Sequence, residues 1–173
     1  MRKIFLFIPF FSLLWQYALA QPRRFHVSST AAGTATGTTW PNAFPNLQTA
    51  LKTAKAGDSI WVAAGIYKPT AGTDRGTSFE PPSGVLLYGG FRGDETTLAQ
   101  RNPGLYPTIL SGDIGRPNDS TDNSYNIVYL HEPDSNTTLD GVVFQYGNAD
   151  YTGFTASQYD RRKCGGGLYI MGA

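Results

Sequence analysis

The sequence predicts an all-β protein, a parallel β-solenoid with one amphipathic helix over its N-terminal end, and three observations predict it. Glycine and proline are abundant, with 20 Gly and 11 Pro among 173 residues, whereas only 16% of the residues are charged. Short runs rich in β-branched and aromatic residues follow one another with turn residues, not helices, between them. Glycines also lie inside these runs, as expected where a chain turns tightly between short parallel strands.

The same composition excludes two other classes of protein. A helical bundle or coiled coil needs Glu, Lys, Ala and Leu in quantity, and this chain is poor in charged residues. A nucleic-acid-binding protein needs a basic patch, but the net charge is only +1 and the sequence has no basic stripe. The length suits a single domain.

Residues 1–20 have the pattern of a secretory signal peptide. Arg2 and Lys3 precede an apolar run, and Ala18-Leu19-Ala20 is a small-x-small cleavage site before Gln21. The apolar run is shorter than the roughly 20 residues that a membrane-spanning helix needs. The sequence therefore predicts an exported protein with a cleaved leader and no transmembrane segment in the mature chain.

Residues 21–57 form an N-terminal segment with a short strand predicted at 25–27 and a helix predicted over 47–56. Asn46 suits the N-cap of this helix, and Gly57 suits the residue that ends it. Apolar residues recur on one helical face at Leu47, Ala50, Leu51 and Ala54.

The predicted helix would cover the unpaired end of the solenoid, whose exposed N–H and C=O groups otherwise recruit other chains. Leu47 and Leu51, with Trp40 and Phe44 before them, are expected to lie on the first coil. We therefore expect Leu51→Asp to cause aggregation rather than a local defect.

Residues 58–173 are predicted to form the first coils of the solenoid. Most of the predicted strands start about 20 to 30 residues after the previous one, within the range of solenoid repeats. A doubly wound fold would need crossover helices, and a sandwich would need hairpin turns such as Asn-Gly between paired runs. The predicted strands are 59–64, 84–88, 108–111, 126–130, 138–146 and 167–171.

Several motifs together carry a resemblance to a known group of proteins. They are Thr39-Trp40-Pro41-Asn42-Ala43-Phe44, Leu47-Gln48-Thr49-Ala50-Leu51, Gly57-Asp58-Ser59-Ile60-Trp61-Val62-Ala63-Ala64-Gly65-Ile66-Tyr67, Tyr88-Gly89-Gly90-Phe91, Ile109-Leu110-Ser111-Gly112-Asp113-Ile114, Leu139-Asp140-Gly141, Gly147-Asn148-Ala149 and Gly165-Gly166-Gly167-Leu168-Tyr169. With them, residues 35–173 resemble bacterial right-handed parallel β-helix proteins of the pectin-lyase-like superfamily, and are similar to surface proteins related to polymorphic outer-membrane proteins. The resemblance implies a right-handed parallel β-helix that is secreted or held on the outer surface of a bacterial cell.

The resemblance also implies a longer parent protein. Proteins of this group run for many more coils and often end in a sorting or anchoring domain, whereas this sequence stops at Met171-Gly172-Ala173. A bare terminal coil exposes unpaired strand edges. We therefore expect a chain that is truncated at its C-terminus.

The first functional hypothesis is a structural, adhesive or carbohydrate-contacting surface protein rather than an enzyme. Its partner would be a polysaccharide or a glycan of a host or cell surface. The chain has ten Tyr and ten Phe, and exposed aromatic rings stack on sugars. The alternative use of these rings is in the core of the coils.

The second hypothesis is a polysaccharide lyase or glycoside hydrolase, as the resemblance allows. A lyase needs a cation to neutralise a uronate carboxylate and a base to take the adjacent proton, and Arg92 and Arg101 are the basic candidates. A hydrolase needs converging carboxylates, for which Asp113, Asp119, Asp122 and Asp140 are available. Because no spacing forces two of these carboxylates together, the sequence identifies no catalytic residue.

A third hypothesis is a calcium site. Asp113, Asp119 and Asp122 lie in an oxygen-rich stretch of an exported chain, where weak calcium sites are useful. The stretch lacks the central Gly and final Glu of an EF-hand, and a solvated loop rich in Asx turns is the alternative. We expect no other cofactor.

Three further features have structural rather than functional interpretations. Cys164 is the only cysteine, so it forms no internal disulfide, and His26 and His131 lie far from it in sequence. We expect Cys164 to be a small buried or loop residue. The sequences starting at Asn118 and Asn136 match the glycosylation pattern and are expected to lie in surface turns.

Overall fold

The computed structural model describes residues 21–153 and 160–172, where nearly all regular structure is β-strand. The strands are β1 (Arg24–Val27), β2 (Ser59–Ala63), β3 (Gly65–Tyr67), β4 (Leu86–Phe91), β5 (Thr108–Ser111), β6 (Val128–His131), β7 (Thr138–Asp140), β8 (Val142–Gln145) and β9 (Leu168–Met171). The single α-helix among these residues, α1, spans Leu47–Thr53. Short 3-10 turns lie at Leu98–Gln100, Ser120–Asp122 and Arg161–Lys163.

The strands form three sheets, and every strand pair in them is parallel. The first sheet has the order β1-β2-β4-β7, the second β3-β5-β8, and the third β6-β9. The chain returns to the sheets in turn, because β4, β5 and β6 lie one in each sheet and β7, β8 and β9 follow in the same order. The prediction of a mainly β protein with parallel strands is confirmed.

The predicted strands differ from the observed ones mainly at their ends. Residues 108–111 form β5 as predicted, whereas β4 and β6 begin two residues later than expected. The predicted run 138–146 is divided into β7 and β8 by Gly141, whose φ of +71° is incompatible with continued strand geometry. The three-residue strand β3 was not predicted, because so short a run has no measurable alternation.

Helix α1 is shorter than the predicted 47–56. Asn46 is the N-cap as predicted, and its side-chain oxygen accepts a hydrogen bond from the Gln48 N–H at 2.7 Å. The helix ends before Ala54, which has extended backbone angles. The Asp58 carboxylate then binds the N–H of Lys55 at 3.0 Å, so the residues after the helix form a turn rather than another helical turn.

The hydrophobic core lies between the sheets and under α1. Alternate residues of each strand point into it, so that Ile60 and Val62 are fully buried while Trp61 lies on the opposite face of β2. Leu139, Val142, Phe144 and Leu168, on the last strands, are only partly buried against this core. The buried side chains of the core include Phe25, Val27, Phe44, Leu47, Leu51, Ile60, Val62, Phe79, Leu87, Leu110, Ile127 and Val128.

The N-terminal end of the core is covered in two ways. Helix α1 covers the interior with Leu47 and Leu51, as expected. The outer edge of β1 is instead bonded by the segment 37–44, because the His26 N–H donates to the Gly37 carbonyl and the Phe44 N–H donates to the His26 carbonyl. The expectation that the helix alone protects the strand edge is therefore incomplete.

Candidate functional site

A cluster of aromatic rings lies on the outer face of the first sheet. His26 of β1 and Trp61 of β2 are in register, and the Trp61 ring stacks on Phe91 with centroids 4.6 Å apart. Trp40 packs against the edge of His26 at 4.6 Å and lies 5.5 Å from Phe91. Trp61 is 3% exposed and Phe91 is fully buried, so these rings form a second small core outside the sheet. Trp40, which was expected on the first coil, packs against His26 of β1 as part of this outer cluster.

A groove of about 450 Å³ opens beside this cluster, between segments 38–41 and 93–96. His26 lines it beside Thr38, Thr39 and Trp40, and residues 93–96 line the opposite wall. We call this feature the Trp40 groove. Its size lies within the ordinary range of small-ligand sites, roughly 300–1,000 Å³.

The turn at residues 92–95 fixes one wall of the Trp40 groove. The Glu95 carboxylate accepts backbone N–H bonds from Arg92 at 2.6 Å, Gly93 at 2.9 Å and Asp94 at 3.1 Å. Burial opposes ionisation, but these bonds outweigh it and hold the pKa of Glu95 below its ordinary value. The Trp40 indole N–H donates to the Glu95 carbonyl at 2.9 Å, so the two walls are joined directly.

Arg24 also lines the Trp40 groove, and its guanidinium forms no ion pair among the described residues. Its guanidinium lies over the Trp61 ring at 3.9 Å and donates to the Thr96 carbonyl at 3.3 Å. Of the eight arginines within the described residues, seven are paired with a carboxylate, and Arg24 is the exception. An arginine held in place by a ring and a carbonyl keeps its charge available for an anion or a polar ligand.

His26 adds no charge to this groove at neutral pH. Burial is the main reason that its pKa lies below the usual value, and the positive charge of Arg24 lowers it further. The hydrogen bond between Nδ1 and the Gly37 carbonyl, 3.2 Å long, acts in the opposite direction. The imidazole is therefore neutral and acts as a packing group.

The two basic candidates for lyase chemistry are each paired with an aspartate. Arg92 forms an ion pair with Asp94 on the surface. Arg101 forms an ion pair with Asp140 and lies over the ring of Tyr88, so Asp140 also has a structural partner. The structure brings Arg101 and Asp140 together, but it does so in a salt bridge that ties the loop after β4 to β7.

The three calcium candidates likewise have cationic partners. Asp119 and Asp122 both interact with Arg116, and Asp113 lies 3.7 Å from the amino group of Lys68. Within residues 21–153 and 160–172, no three His, Cys, Asp or Glu side chains are grouped so that they could hold a metal ion. The calcium hypothesis stays a prediction.

The remaining candidates lie in turns. Cys164 is exposed and follows a 3-10 turn, in agreement with its interpretation as a loop residue. Its carbonyl accepts a hydrogen bond from the buried Asn126 side chain at 2.7 Å. Asn118 and Asn136 are exposed, as expected for surface turns.

Phenylalanine and tyrosine divide between core and surface. Phe25, Phe44 and Phe79 are buried in the core, whereas most described tyrosines are half-buried on outer faces. Tyr129 and Tyr169, for example, lie side by side on β6 and β9 with centroids 5.9 Å apart. The ring-stacking hypothesis therefore applies to tyrosine and tryptophan rather than to phenylalanine.

Sequence reasoning missed Arg24 and Glu95 as parts of a site. A signal existed for Glu95, since an acidic residue in a Gly-containing turn commonly accepts backbone N–H bonds. No sequence signal separates Arg24 from the other arginines. It differs from them in having no carboxylate partner, and only the fold shows which arginines have one.

Comparison with known proteins found no matching protein family, no matching curated protein and no matching solved structure. In the described part of the chain, no helix has the length and apolar character needed to cross a membrane.

Proposed function

We propose that this chain forms an exported right-handed parallel β-helix that contacts a polysaccharide or surface glycan without transforming it. The protein is secreted or held on the outer surface of a bacterial cell. Export is supported by the leader pattern of residues 1–20 and the small-x-small site before Gln21.

The β-helix is supported by the order in which the chain visits its sheets. A solenoid with three faces places successive strands on faces one, two and three and then repeats, and β4 to β9 follow this order. Phe79 extends this order to the preceding coil, which contains β2 and β3. It follows β3 in sequence and forms a parallel bridge with Val128 of β6, in the third sheet. The right hand follows from the strong preference of parallel crossover connections.

Contact with a saccharide is supported by the chemistry of the Trp40 groove, and the unpaired Arg24 is the observation that carries it. Sugar rings present C–H faces that pack on aromatic rings and hydroxyl groups that need polar partners. The groove offers the Trp40 ring beside threonine hydroxyls, a fixed turn and one guanidinium without a carboxylate.

Binding rather than catalysis is supported by four carboxyl groups whose pKa values are lowered. Hydrogen bonds from threonine hold the pKa values of Asp119 and Asp134 below their ordinary values, and at Asp58 and Glu95 hydrogen bonds to the charged form outweigh burial to the same effect. A general acid requires the opposite shift, towards neutral pH. These carboxylates are held ionised, as structural acceptors.

The test is a binding experiment and a product assay on the same purified protein. Wild-type protein is applied to a glycan array and incubated with pectate, alginate and neutral glycans. We expect retention on at least one glycan and no unsaturated or reducing ends. Appearance of such ends would overturn the non-catalytic proposal in favour of a lyase or hydrolase, and absence of any binding would overturn the saccharide proposal.

The Trp40 groove is tested by a pair of variants that each remove one exposed cation. Arg24, replaced in Arg24→Ala, lines the groove, whereas Lys52, replaced in Lys52→Ala, lies on the exposed side of α1. We expect Arg24→Ala to weaken binding about 10-fold, which corresponds to roughly 1.4 kcal/mol, and Lys52→Ala to leave it unchanged. Equal effects of the two variants would mean that the groove is not the binding site.

A further inference from the structure

We propose that Gln21, once the leader is removed, is converted to pyroglutamate, so that the mature N-terminus is a modification site. This inference rests on the proposed export, because Gln21 becomes N-terminal only when the chain is cut after Ala20. It adds a covalent step that neither the fold nor the Trp40 groove requires.

The structure anchors the chain from Arg23 onwards. The Arg23 N–H donates to the Asp58 carboxylate at 2.8 Å, and its guanidinium donates to the same carboxylate at 2.7 Å. The Arg23 carbonyl accepts the Ser59 N–H at 2.9 Å, so this residue is tied to β2 just before β1 begins. These bonds make Arg23 the first fixed residue of the fold.

Gln21 and Pro22 are left outside this anchor. Both are exposed and belong to no strand, and none of the hydrogen bonds in the described part of the chain involves Gln21. An extended chain spans about 3.3–3.6 Å per residue, so Gln21 and Pro22 form a short exposed segment before Arg23. Among residues 21–153 and 160–172, the side-chain amide of Gln21 has no hydrogen-bond partner that would keep it away from its own α-amine.

The reaction is an intramolecular amide exchange. The α-amino nitrogen of Gln21 attacks its own side-chain carbonyl carbon, Cδ, and forms a new N–Cδ bond. The Cδ–Nε2 bond then breaks, and the proton lost by the α-amine leaves with Nε2 as ammonia. Because no atom is oxidised or reduced, the step needs no oxidant, reductant or cofactor.

The modification removes a charge from a cationic end of the protein. A free α-ammonium would lie within three residues of the consecutive Arg23 and Arg24, whereas the lactam is neutral. The lactam also leaves no primary amine for an aminopeptidase to recognise. We therefore expect export to yield a blocked N-terminus two residues before Arg23, the first fixed residue of the fold.

The experiment uses the full chain with its own leader, expressed in a bacterial host. The exported protein is purified, held at neutral pH for several days, and analysed by intact mass and by sequencing of its N-terminal peptide by tandem mass spectrometry. We expect a chain that begins at residue 21 and is lighter than the free form by the mass of one ammonia molecule. Gln21→Ala is the matched control, because it keeps the small-x-small site and the tail but cannot cyclise.

Three outcomes distinguish the inference from the proposal beneath it. A chain that begins at residue 21 with the ammonia loss, beside a Gln21→Ala chain with a free amine, supports both. A chain that begins at residue 21 and retains a free amine after the incubation overturns the pyroglutamate inference and leaves export intact. A chain that still begins at Met1, or that starts elsewhere, overturns the cleavage on which the inference rests.

Discussion

Gly37→Ala is expected to open the N-terminal edge of the first sheet. Gly37 has a φ of +74°, and its carbonyl accepts the His26 N–H of β1 at 2.8 Å. A Cβ at this position would lie 2.3 Å from the Cε2 atom of Phe44, which is buried in the core. An alanine would therefore be strained in its backbone and would collide with the ring that holds the covering segment in place.

The size of the effect follows from three contributions. The left-handed backbone costs an alanine about 1–2 kcal/mol, and overpacking against Phe44 costs about 1–3 kcal/mol. If segment 37–44 detaches, the three hydrogen bonds along the outer edge of β1 add about 0.5–1.5 kcal/mol each. Strain and overpacking alone give about 2–5 kcal/mol, a large part of the roughly 5–15 kcal/mol that stabilises a typical domain.

Two measurements test this prediction. Urea unfolding is expected to show the loss of stability, and sedimentation velocity is expected to show concentration-dependent association through the uncovered strand edge. Gly72→Ala is the control, because its Cβ would meet only the Thr70 hydroxyl at 3.4 Å and should change stability by less than about 0.5 kcal/mol. If Gly37→Ala were as stable and as monomeric as Gly72→Ala, segment 37–44 would not protect the edge.

Three other predictions concern the helix, the N-terminal anchor and calcium. Leu51→Ala should lower the free energy of unfolding by about 2–5 kcal/mol, and Leu51→Asp should lower it by more. Lys52→Asp, on the exposed side of α1, should have little effect. Urea titrations that rank the three variants otherwise would contradict the role of α1. Burial opposes ionisation of Asp58, but its bonds from Arg23 and Lys55 lower its pKa below 3.8. The contribution of Asp58 to folding stability is therefore present above that pH and is lost as the pH falls further. Asp58→Asn should therefore cost about 1–3 kcal/mol at pH 7, and a difference from wild type that did not shrink below pH 4 would contradict this assignment. The calcium hypothesis predicts that millimolar calcium raises the melting temperature, although Asp113, Asp119 and Asp122 already have cationic partners, and an unchanged melting temperature would end it.

Strand content and strand direction were predictable because they depend on local chemistry. The alternation of Ile60, Trp61 and Val62 marks a strand with one inward face, and the lack of helices between such runs leaves few ways to connect them. The end of α1 was not predictable from Gly57, because the Asp58 carboxylate captures the Lys55 N–H and stops the helix earlier. A side-chain contact of this kind has no periodic signature.

The covering of β1 was also outside the reach of sequence patterns. An amphipathic helix near the N-terminus is easily recognised, so the whole protective role was assigned to Leu47 and Leu51. Segment 37–44 has mixed composition and no regular structure over most of its length, yet its backbone supplies the bonds at the strand edge. Backbone hydrogen bonding is independent of side-chain identity, which is why composition gave no indication of it.

The candidate site was likewise predictable only in part from the sequence. Aromatic side chains were expected either in the core or on sugars, but Trp61 and Phe91 occupy a third position, a buried layer outside the sheet. This layer holds Trp61 in place beneath the guanidinium of Arg24, which lies 3.9 Å from the ring centroid.

Structural need alone does not account for the charge of Arg24. Stacking on Trp61 and one hydrogen bond to the Thr96 carbonyl use only part of a guanidinium that carries five N–H donors. The other seven described arginines use their charge in ion pairs, as Arg101 does with Asp140. Arg24→Gln, which keeps a donor for Thr96 but removes the charge, therefore separates the two roles. Unchanged stability with weakened glycan binding is the result expected if the charge serves a ligand, whereas lost stability with unchanged binding would make Arg24 a purely structural residue.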